Sequence, residues 1–180
     1  MQTAYIALGA NLASSVGPPE ATLAAAVERL NNLGEITAQS SLYSTAPVGF
    51  ADQPRFVNAV VALKTALEPR ALLNKLLVIE KEYGRDRSAG IPNGPRTLDL
   101  DILLIGDLEM SVPELELPHP RLTERAFVLV PLDEIAPKLQ IAGRGKTVSE
   151  FLEMMQKCCK GETDAVVRME SNDWRAAAHS

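Results

Sequence analysis

The sequence is poor in cysteine and in long apolar runs. Its only two cysteines, Cys158 and Cys159, are adjacent, a spacing that suits neither an ordinary structural disulfide nor the separated cysteine pairs of a zinc site. No apolar stretch approaches the roughly 20 residues of a membrane helix, and the N-terminus lacks the basic and then apolar pattern of a signal peptide. We therefore expect a cytoplasmic protein without membrane contacts, in which both thiols are reduced and have no function.

An excess of basic residues is also missing. The 180 residues carry a formal net charge of −5, whereas proteins that bind nucleic acid normally present a basic face. We expect no nucleic-acid partner, so any anionic ligand must be held by arginines that cluster locally. No feature of the sequence points to an obligate protein partner.

The length and composition are those of one globular domain. Hydrophobic residues make up 46% of the chain, enough to bury a substantial core. Because the sequence contains no repeat, low-complexity tract or linker, we expect a single domain over residues 1–170 and a frayed tail over residues 171–180.

Apolar periodicity predicts the order of the elements. Strands are predicted over residues 3–8, 36–43, 56–63 and 98–105, helices between residues 19 and 34 and between residues 69 and 84, and a short final helix after a capping box at residues 147–150. This order predicts an α+β fold: a ferredoxin-like split βαβ sandwich with a mainly antiparallel sheet, helices on one sheet face and a C-terminal extension. A doubly wound fold is disfavoured, because Pro47, Gly49 and Pro54 lie where it would need a helix.

Two carboxylates share one face of the fourth predicted strand. Because side chains alternate along a strand, Asp99 and Asp101 point to the same side, in line with Leu103 and Ile105, while Leu104 points to the other. Two buried carboxylates side by side repel each other and lose hydration, so a positive group must lie between them. That group is either Mg²⁺, which prefers oxygen ligands, or an arginine in an ion pair. The residues alone leave both open.

Arginines crowd the loop that leads into this strand. Arg85, Arg87 and Arg96 outnumber the two aspartates, and guanidinium groups bind phosphate oxygens bidentately. The acidic pair and the arginine loop together predict a polyphosphate site.

Two further groups have more than one interpretation. His119, Arg121 and Arg125 follow each other closely and are either part of the same cleft or a solvated surface cluster. Phe56 and Asn58, beside the long loop at residues 44–55, either form a pocket for a flat heterocycle or belong to the core.

Longer motifs resemble one known family. The run Gly94-Pro95-Arg96-Thr97-Leu98-Asp99-Leu100-Asp101 is highly specific, and further matches lie at residues 4–12, 52–54, 56–59, 117–121 and 125–129. With these motifs, the chain resembles the 6-hydroxymethyl-7,8-dihydropterin pyrophosphokinases over nearly its whole length.

The resemblance implies a reaction and a set of site residues. It implies transfer of the β,γ-pyrophosphoryl unit of ATP, as co-substrate, to the hydroxymethyl oxygen of a reduced pterin in folate biosynthesis, with release of AMP. Asp99 and Asp101 would hold two Mg²⁺ ions, and Arg85 and Arg96 would assist the transfer. The implied ATP contacts are Glu80, Arg85, Arg87, Arg96, His119 and Arg125. The implied pterin pocket consists of Thr45, Ala46, Pro47, Val48, Phe56, Asn58 and Phe127, with two aromatic rings around the heterocycle.

Two other functions stay open beside this one. A two-metal nucleotidyl transferase or cyclase can also place acidic residues on a ferredoxin-like sheet, and it would release pyrophosphate. A regulatory module that binds a small molecule would bind the pterin without turnover. For an enzyme, we expect the loops at residues 44–55 and 85–95 to close over the substrates.

Overall fold

The structure is a computed structural model that describes residues 1–47, 52–88, 94–170 and 174. The strands are β1 (Gln2–Ala10), β2 (Glu35–Gln39), β3 (Tyr43–Thr45), β4 (Phe56–Thr65), β5 (Asp99–Ile105), β6 (Met110–Val112), β7 (Leu115–Leu117) and β8 (Val167–Arg168). The helices are α1 (Pro19–Asn31), α2 (Pro69–Glu82), α3 (Ala126–Ile135), α4 (Val148–Cys158) and α5 (Lys160–Asp164), with a 3₁₀ turn at Leu122–Glu124. None of the described helices combines the length and apolarity needed to cross a bilayer.

Six of the described strands form one antiparallel sheet. Its order is β5-β1-β4-β3-β8, and β2 pairs with β4 beside β3. Every pairing in it is antiparallel, while β6 and β7 form a separate hairpin. The predicted α+β fold with a mainly antiparallel sheet is confirmed.

Helices α1 and α2 cover one face of this sheet. Each begins with a proline in its first turn, where the missing N–H would have had no helical partner and the fixed φ suits the helix. Leu23 and Leu30 of α1 and Leu76 of α2 are buried against Ile6 and Leu8 of β1 in the larger core cluster. Both helices lie where the periodicity predicted them.

Helices also cover the opposite face. The two helices that the sequence predicts in full, α1 and α2, share one face as expected, but α3 and α4 lie on the other. Leu129 and Leu132 of α3 and Leu152 of α4 pack with Val60 of β4 in a second apolar cluster. The reason lies in β4, which is buried on both faces along most of its length and therefore needs a cover on each side. The predicted capping box is present, and Thr147 caps α4.

The strand predicted over residues 36–43 is two strands, β2 and β3. Between them, the Ser40 hydroxyl takes the place of a backbone carbonyl and accepts the Val60 N–H at 2.9 Å. The next N–H, that of Ser41, donates to the Glu134 carboxylate of α3 at 3.0 Å. Side chains thus replace ladder hydrogen bonds and interrupt the strand, which apolar alternation does not reveal.

The C-terminal segment returns to the sheet. Strand β8 pairs with β3, and Trp174 is 3% exposed, with its indole N–H donating to the Ser40 carbonyl at 2.6 Å. The frayed tail stays a prediction for the rest of residues 171–180, which lie outside the described part of the chain.

Candidate active site

A cleft lies between the sheet and the N-terminal end of α3. Ten predicted site residues line it: Thr45, Ala46, Phe56, Asn58, Arg96, Asp99, Asp101, His119, Arg125 and Phe127. Because β1, β4 and β5 are neighbours in the sheet, residues that are distant in sequence meet here. Of the cluster His119, Arg121 and Arg125, the structure therefore brings His119 and Arg125 into one cleft with the aspartates, whereas Arg121 is exposed and does not line it.

The remaining predicted residues lie elsewhere or are not described. Pro47, Glu80, Arg85 and Arg87 are not among the residues that line the cleft, although both arginines approach Asp99. Val48 and the loop residues 49–51 and 89–93 lie outside the described residues, so loop closure stays a prediction.

Asp99 is held between two arginines. Arg85 Nη1 donates to its Oδ1 at 2.7 Å, and Arg96 Nη1 donates to its Oδ2 at 3.0 Å. Arg87 Nη2 lies 3.7 Å from Oδ1. Of the two positive groups expected beside the aspartates, Mg²⁺ or arginine, the structure shows arginine at Asp99. Each carboxylate oxygen keeps a second lone pair that can bind another ligand.

Asp101 lacks such an ion pair among the described residues. Burial, and then the neighbouring charge of Asp99, raise the pKa of its carboxyl to about 6, while the charge of Arg125 opposes this rise. A divalent cation would keep this carboxylate ionised. The described residues contain no group of three or more His, Cys, Asp or Glu side chains arranged to hold a metal ion. A cation at Asp101 would therefore need water and substrate oxygens as well, which suits Mg²⁺.

A β-bulge in β5, after the two aspartates, changes the sheet face on which the following side chains lie. The register against β1 shifts beside Tyr5, and Leu103 and Leu104 both pack into the second cluster, while Ile105 joins the larger one. The prediction that Ile105 lies in line with the aspartates, and Leu104 opposite, is wrong, because a bulge inserts an extra residue into the alternation.

Glu80 supports β5 from α2. Its side chain is buried, accepts the Leu100 N–H at 3.0 Å, and accepts two hydrogen bonds from Arg87 at 2.9 and 2.7 Å. Leu100 lies between the two aspartates on an outer strand of the sheet, so Glu80 fixes the backbone that carries them. A direct contact between Glu80 and ATP stays a prediction.

His119 and Arg125 bring two different donors to the cleft. His119 Nδ1 accepts the Arg121 N–H at 3.1 Å, so the proton of the neutral imidazole is on Nε2. Burial, and then the charges of Arg125 and Arg121, lower the pKa of His119, which keeps the ring neutral at neutral pH. Burial also lowers the pKa of Arg125, but a guanidinium stays protonated.

An amide lies at the other end of the cleft. Asn58 Nδ2 donates to Thr45 Oγ1 at 2.7 Å, and both side chains are buried. A Cβ on Gly9 would come within 3.0 Å of Asn58 Oδ1. Glycine within β1 therefore lets the amide keep its position.

Two aromatic rings flank this amide pocket. The Arg96 guanidinium lies 5.7 Å from the centroid of Phe56, and the Arg125 guanidinium lies 5.6 Å from that of Phe127. Both distances are those of cation–π contacts. The arginines thus connect the aromatic end of the cleft with its acidic end.

Asn11 holds the cleft residue Arg96 in place, a role that sequence reasoning missed. It is 3% exposed, accepts the Arg96 N–H at 2.8 Å, and donates to Gln53 Oε1 at 2.9 Å and to the Pro54 carbonyl at 3.0 Å. Asn11 thus connects the C-terminal ends of the two loops predicted at residues 44–55 and 85–95. In the sequence, Asn11 follows a strand, as in any turn, and lies in the matching segment at residues 4–12, but neither fact indicates what its side chain contacts.

Known proteins resemble this chain in sequence and in structure. Residues 5–137 match the family described as 7,8-dihydro-6-hydroxymethylpterin-pyrophosphokinase (HPPK). The chain is 46% identical over 154 residues to the 2-amino-4-hydroxy-6-hydroxymethyldihydropteridine pyrophosphokinase of Pseudomonas aeruginosa, a match that covers 84% of this chain and 91% of that protein. A protein of the same name in Bacillus subtilis is 45% identical over 139 residues, or 76% of this chain and 80% of that one.

The structural likeness supports the fold. A crystal structure of Plasmodium falciparum HPPK-DHPS with pteroate matches 93% of this chain with a TM-score of 0.73 at 14% sequence identity, and this chain spans 47% of that one. A structural match at such low sequence identity is evidence for the fold alone. The evidence for the family comes from the match to the family and from the relatives at 45% and 46% identity. The chain belongs to the 7,8-dihydro-6-hydroxymethylpterin-pyrophosphokinase family.

Proposed function

We propose that this chain transfers pyrophosphate from ATP to the hydroxymethyl group of 6-hydroxymethyl-7,8-dihydropterin, giving AMP and the pterin diphosphate in folate biosynthesis. The observation that carries the proposal is one cleft in which an acidic pair and two arginines lie next to an amide pocket with two aromatic rings. A polyphosphate needs the first set of groups, and a flat polar heterocycle needs the second.

The pterin belongs at the amide end of the cleft. Phe56 and Phe127 offer faces on which a flat ring stacks, and the Asn58 amide offers hydrogen bonds to its polar edge. Thr45 holds this amide in one orientation, and a buried oriented amide rejects rings that lack the matching donors and acceptors. The hydroxymethyl group would then point toward the aspartates.

The phosphates of ATP belong at the acidic end. Arg96 and Arg125 supply positive charge, and the His119 Nε2–H supplies a neutral donor. In the reaction, the hydroxymethyl oxygen loses its proton to solvent and bonds to the β-phosphorus, while the bond from that phosphorus to the bridging α,β-oxygen breaks and AMP leaves with the bridging oxygen. The arginines stabilise the negative charge that spreads over the phosphate oxygens.

We assign Asp99 and Asp101 as the ligands of two Mg²⁺ ions. The fit rests on Asp101, a mostly buried carboxylate with a raised pKa, and on the free lone pairs of Asp99. Bound magnesium would neutralise phosphate charge and polarise the phosphorus that is attacked. Arg85 and Arg96 keep the Asp99 carboxylate in a fixed orientation.

The finer descriptions of fold and context are part of the same proposal. A ferredoxin-like split βαβ arrangement is supported by the order β5-β1-β4 with β2 and β3 beyond β4, with α1 and α2 as the connecting helices. A single domain over residues 1–170 without an obligate partner agrees with bacterial relatives of similar length. A cytoplasmic location rests on the sequence alone.

Product analysis tests the reaction. Protein, ATP, the reduced pterin and Mg²⁺ should give AMP and a pterin diphosphate, and excess EDTA should abolish turnover. Asp101→Asn should lose activity by about a thousandfold, while Asp107→Asn, a control at an exposed aspartate just after β5, should keep it. Release of pyrophosphate would indicate a nucleotidyl transferase or cyclase instead, and pterin binding without turnover would indicate a regulatory module.

A further inference from the structure

One buried amide connects three segments beside the cleft. Asn11 directly follows β1, and its Nδ2 donates hydrogen bonds to Gln53 Oε1 at 2.9 Å and to the Pro54 carbonyl at 3.0 Å. Its Oδ1 accepts the Arg96 N–H at 2.8 Å. Two acceptors thus lie on one side of the amide and a donor lies on the other, which gives it a single orientation.

The main chain of the same turn also holds Arg96. The N–H groups of Asn11 and Leu12 both donate to the Arg96 carbonyl, at 3.0 and 3.2 Å. Together with the bond from the Arg96 N–H to the Asn11 side chain, they fix both backbone groups of the arginine. A long arginine side chain has many rotamers, so its guanidinium is placed accurately only when its backbone and its contacts are held.

The Arg96 guanidinium lies where the two ends of the cleft meet. Its Nη1 donates to Asp99 Oδ2 at 3.0 Å, and the guanidinium lies 5.7 Å from the centroid of the Phe56 ring. Phe56 begins β4 two residues after Pro54, which is the other partner of Asn11. The same amide therefore fixes the arginine beside the acidic pair and the start of the strand that carries the aromatic ring.

We propose that Asn11 is a positioning residue for pyrophosphoryl transfer and that it acts through Arg96 and Phe56, a role that rests on the proposed function. Asn11 is not among the described residues that line the cleft, so its effect has to pass through those two residues. By fixing the two ends of the cleft relative to each other, it sets the approach of the hydroxymethyl oxygen to the β-phosphorus. A displacement of about 1 Å between reacting groups costs on the order of a hundredfold in rate.

Separate measurements of transfer rate and binding test this role. In rapid-quench single turnovers with Mg²⁺, ATP and the reduced pterin, Asn11→Ala should form the pterin diphosphate about a hundredfold more slowly than the parent. Asn11→Asp keeps the acceptor for the Arg96 N–H and loses both donors, so its rate should fall about tenfold. The dissociation constants for the pterin and for a nonhydrolysable ATP analogue should change by less than about threefold, because the groups that line the cleft are unchanged.

Thr65→Ala is the matched control, because it also removes a buried polar side chain. Thr65 lies at the other end of β4 from Phe56 and is fully buried. Its hydroxyl donates to the Leu33 carbonyl at 2.7 Å and accepts the Leu67 N–H at 3.2 Å. In urea unfolding this variant should lose stability, and in single turnovers it should keep the transfer rate of the parent.

Specific results would overturn the positioning role. An active parent with an equally fast Asn11→Ala variant would refute that role alone. A rate loss that Thr65→Ala shares would refute it too, because instability would then explain the loss, and so would a loss confined to the two dissociation constants. If Asn11→Ala does not fold, Asn11→Asp is judged by the same measurements. A parent that forms neither AMP nor the pterin diphosphate would refute the proposed function, and the positioning role with it.

Discussion

Asp99 and Asp101 share a strand face but differ in what balances their charge. Asp99 accepts hydrogen bonds from two arginines, whereas burial raises the pKa of Asp101 to about 6, from an ordinary value of 3.8. A carboxyl whose pKa is higher in the folded than in the unfolded state destabilises the fold once the pH exceeds the unfolded value. Without metal, Asp101 therefore reduces stability, and Asp99 contributes to it.

Opposite stability changes are expected when each aspartate is replaced by asparagine. In EDTA at pH 8, Asp101→Asn should increase the free energy of unfolding by roughly 1–3 kcal/mol, since a shift of one pKa unit corresponds to about 1.4 kcal/mol. The gain should shrink as the pH falls through 6 toward 4, because Asp101 then becomes protonated in the folded parent. Asp99→Asn should lower stability, because Arg85 and Arg96 lose a charged acceptor.

Urea unfolding of both variants and the parent at pH 8 and pH 5 measures these differences. Asp107→Asn again serves as an exposed control. A destabilised Asp101→Asn variant at pH 8 would mean that this carboxylate already has a compensating partner in the metal-free protein, which would weaken the argument for a cation there.

At the scale of elements, a carboxylate ties the two walls of the cleft together. Glu134 of α3 accepts hydrogen bonds from the Ser41 N–H and hydroxyl, and from the Tyr43 hydroxyl at 2.6 Å. Helix α3 carries Phe127 at its other end, and β3 ends at Thr45, which orients the amide of the pocket. The separation of α3 and β3 thus sets the width of the pocket that we propose for the pterin.

Removal of this tie should affect both stability and pterin binding. Glu134→Ala should lower the free energy of unfolding by about 2–3 kcal/mol, because it leaves several donors without their charged acceptor. The pterin KM should rise more than the ATP KM, and Glu134→Gln should restore part of both losses. Steady-state kinetics and urea unfolding give these values, with Glu153→Gln at an exposed position of α4 as the control. If the KM for the pterin and the KM for ATP rise equally, the contacts of Glu134 with Ser41 and Tyr43 have only a structural role.

Elements with a one-sided apolar pattern could be predicted, and others could not. The stripes of α1 and α2 and the alternation of β1 each have one clear period, so the sequence predicts them. Helix α3 is apolar on several sides and contains Pro131, and therefore shows no helical stripe. The interruption at Ser40 and the bulge in β5 depend on hydrogen bonds and pairing with distant strands, which local periodicity does not contain.

At the scale of the whole molecule, the cleft gathers residues from β1, β3, β4, β5, the segment before α3 and α3 itself. Charged and aromatic site residues could be predicted, because their types suit phosphate or a flat ring and their motifs resemble a family. Gly9 and Asn11 could not, because their roles come from what lies against them across the sheet. Likewise, only the structure shows that Arg85 and Arg96 have different positions. Both bind Asp99, but only Arg96 also lines the cleft.

The C-terminal segment packs against the rest of the described chain through Trp174. This residue is the only tryptophan in the sequence, so its fluorescence measures whether the segment is packed. Trp174 lies in the larger core cluster beside α1, α2 and the sheet, and its indole bonds to the backbone where β2 and β3 separate. Its emission should be blue-shifted in the folded protein and should shift to the red on unfolding, because the ring passes from an apolar site into water.

Trp174→Ala should lower the free energy of unfolding by about 3–5 kcal/mol, the usual cost of removing a large buried aromatic ring. Trp174→Phe should cost less, because most of the apolar contact remains and only the N–H donor to Ser40 is lost. Since β8 pairs with β3 in the same region, a chain ended after residue 165 should be at least as unstable as Trp174→Ala. Urea midpoints followed by circular dichroism compare the three. If truncation leaves the midpoint unchanged, the segment does not stabilise the sheet, and β3 keeps its position through β4 and Glu134 alone.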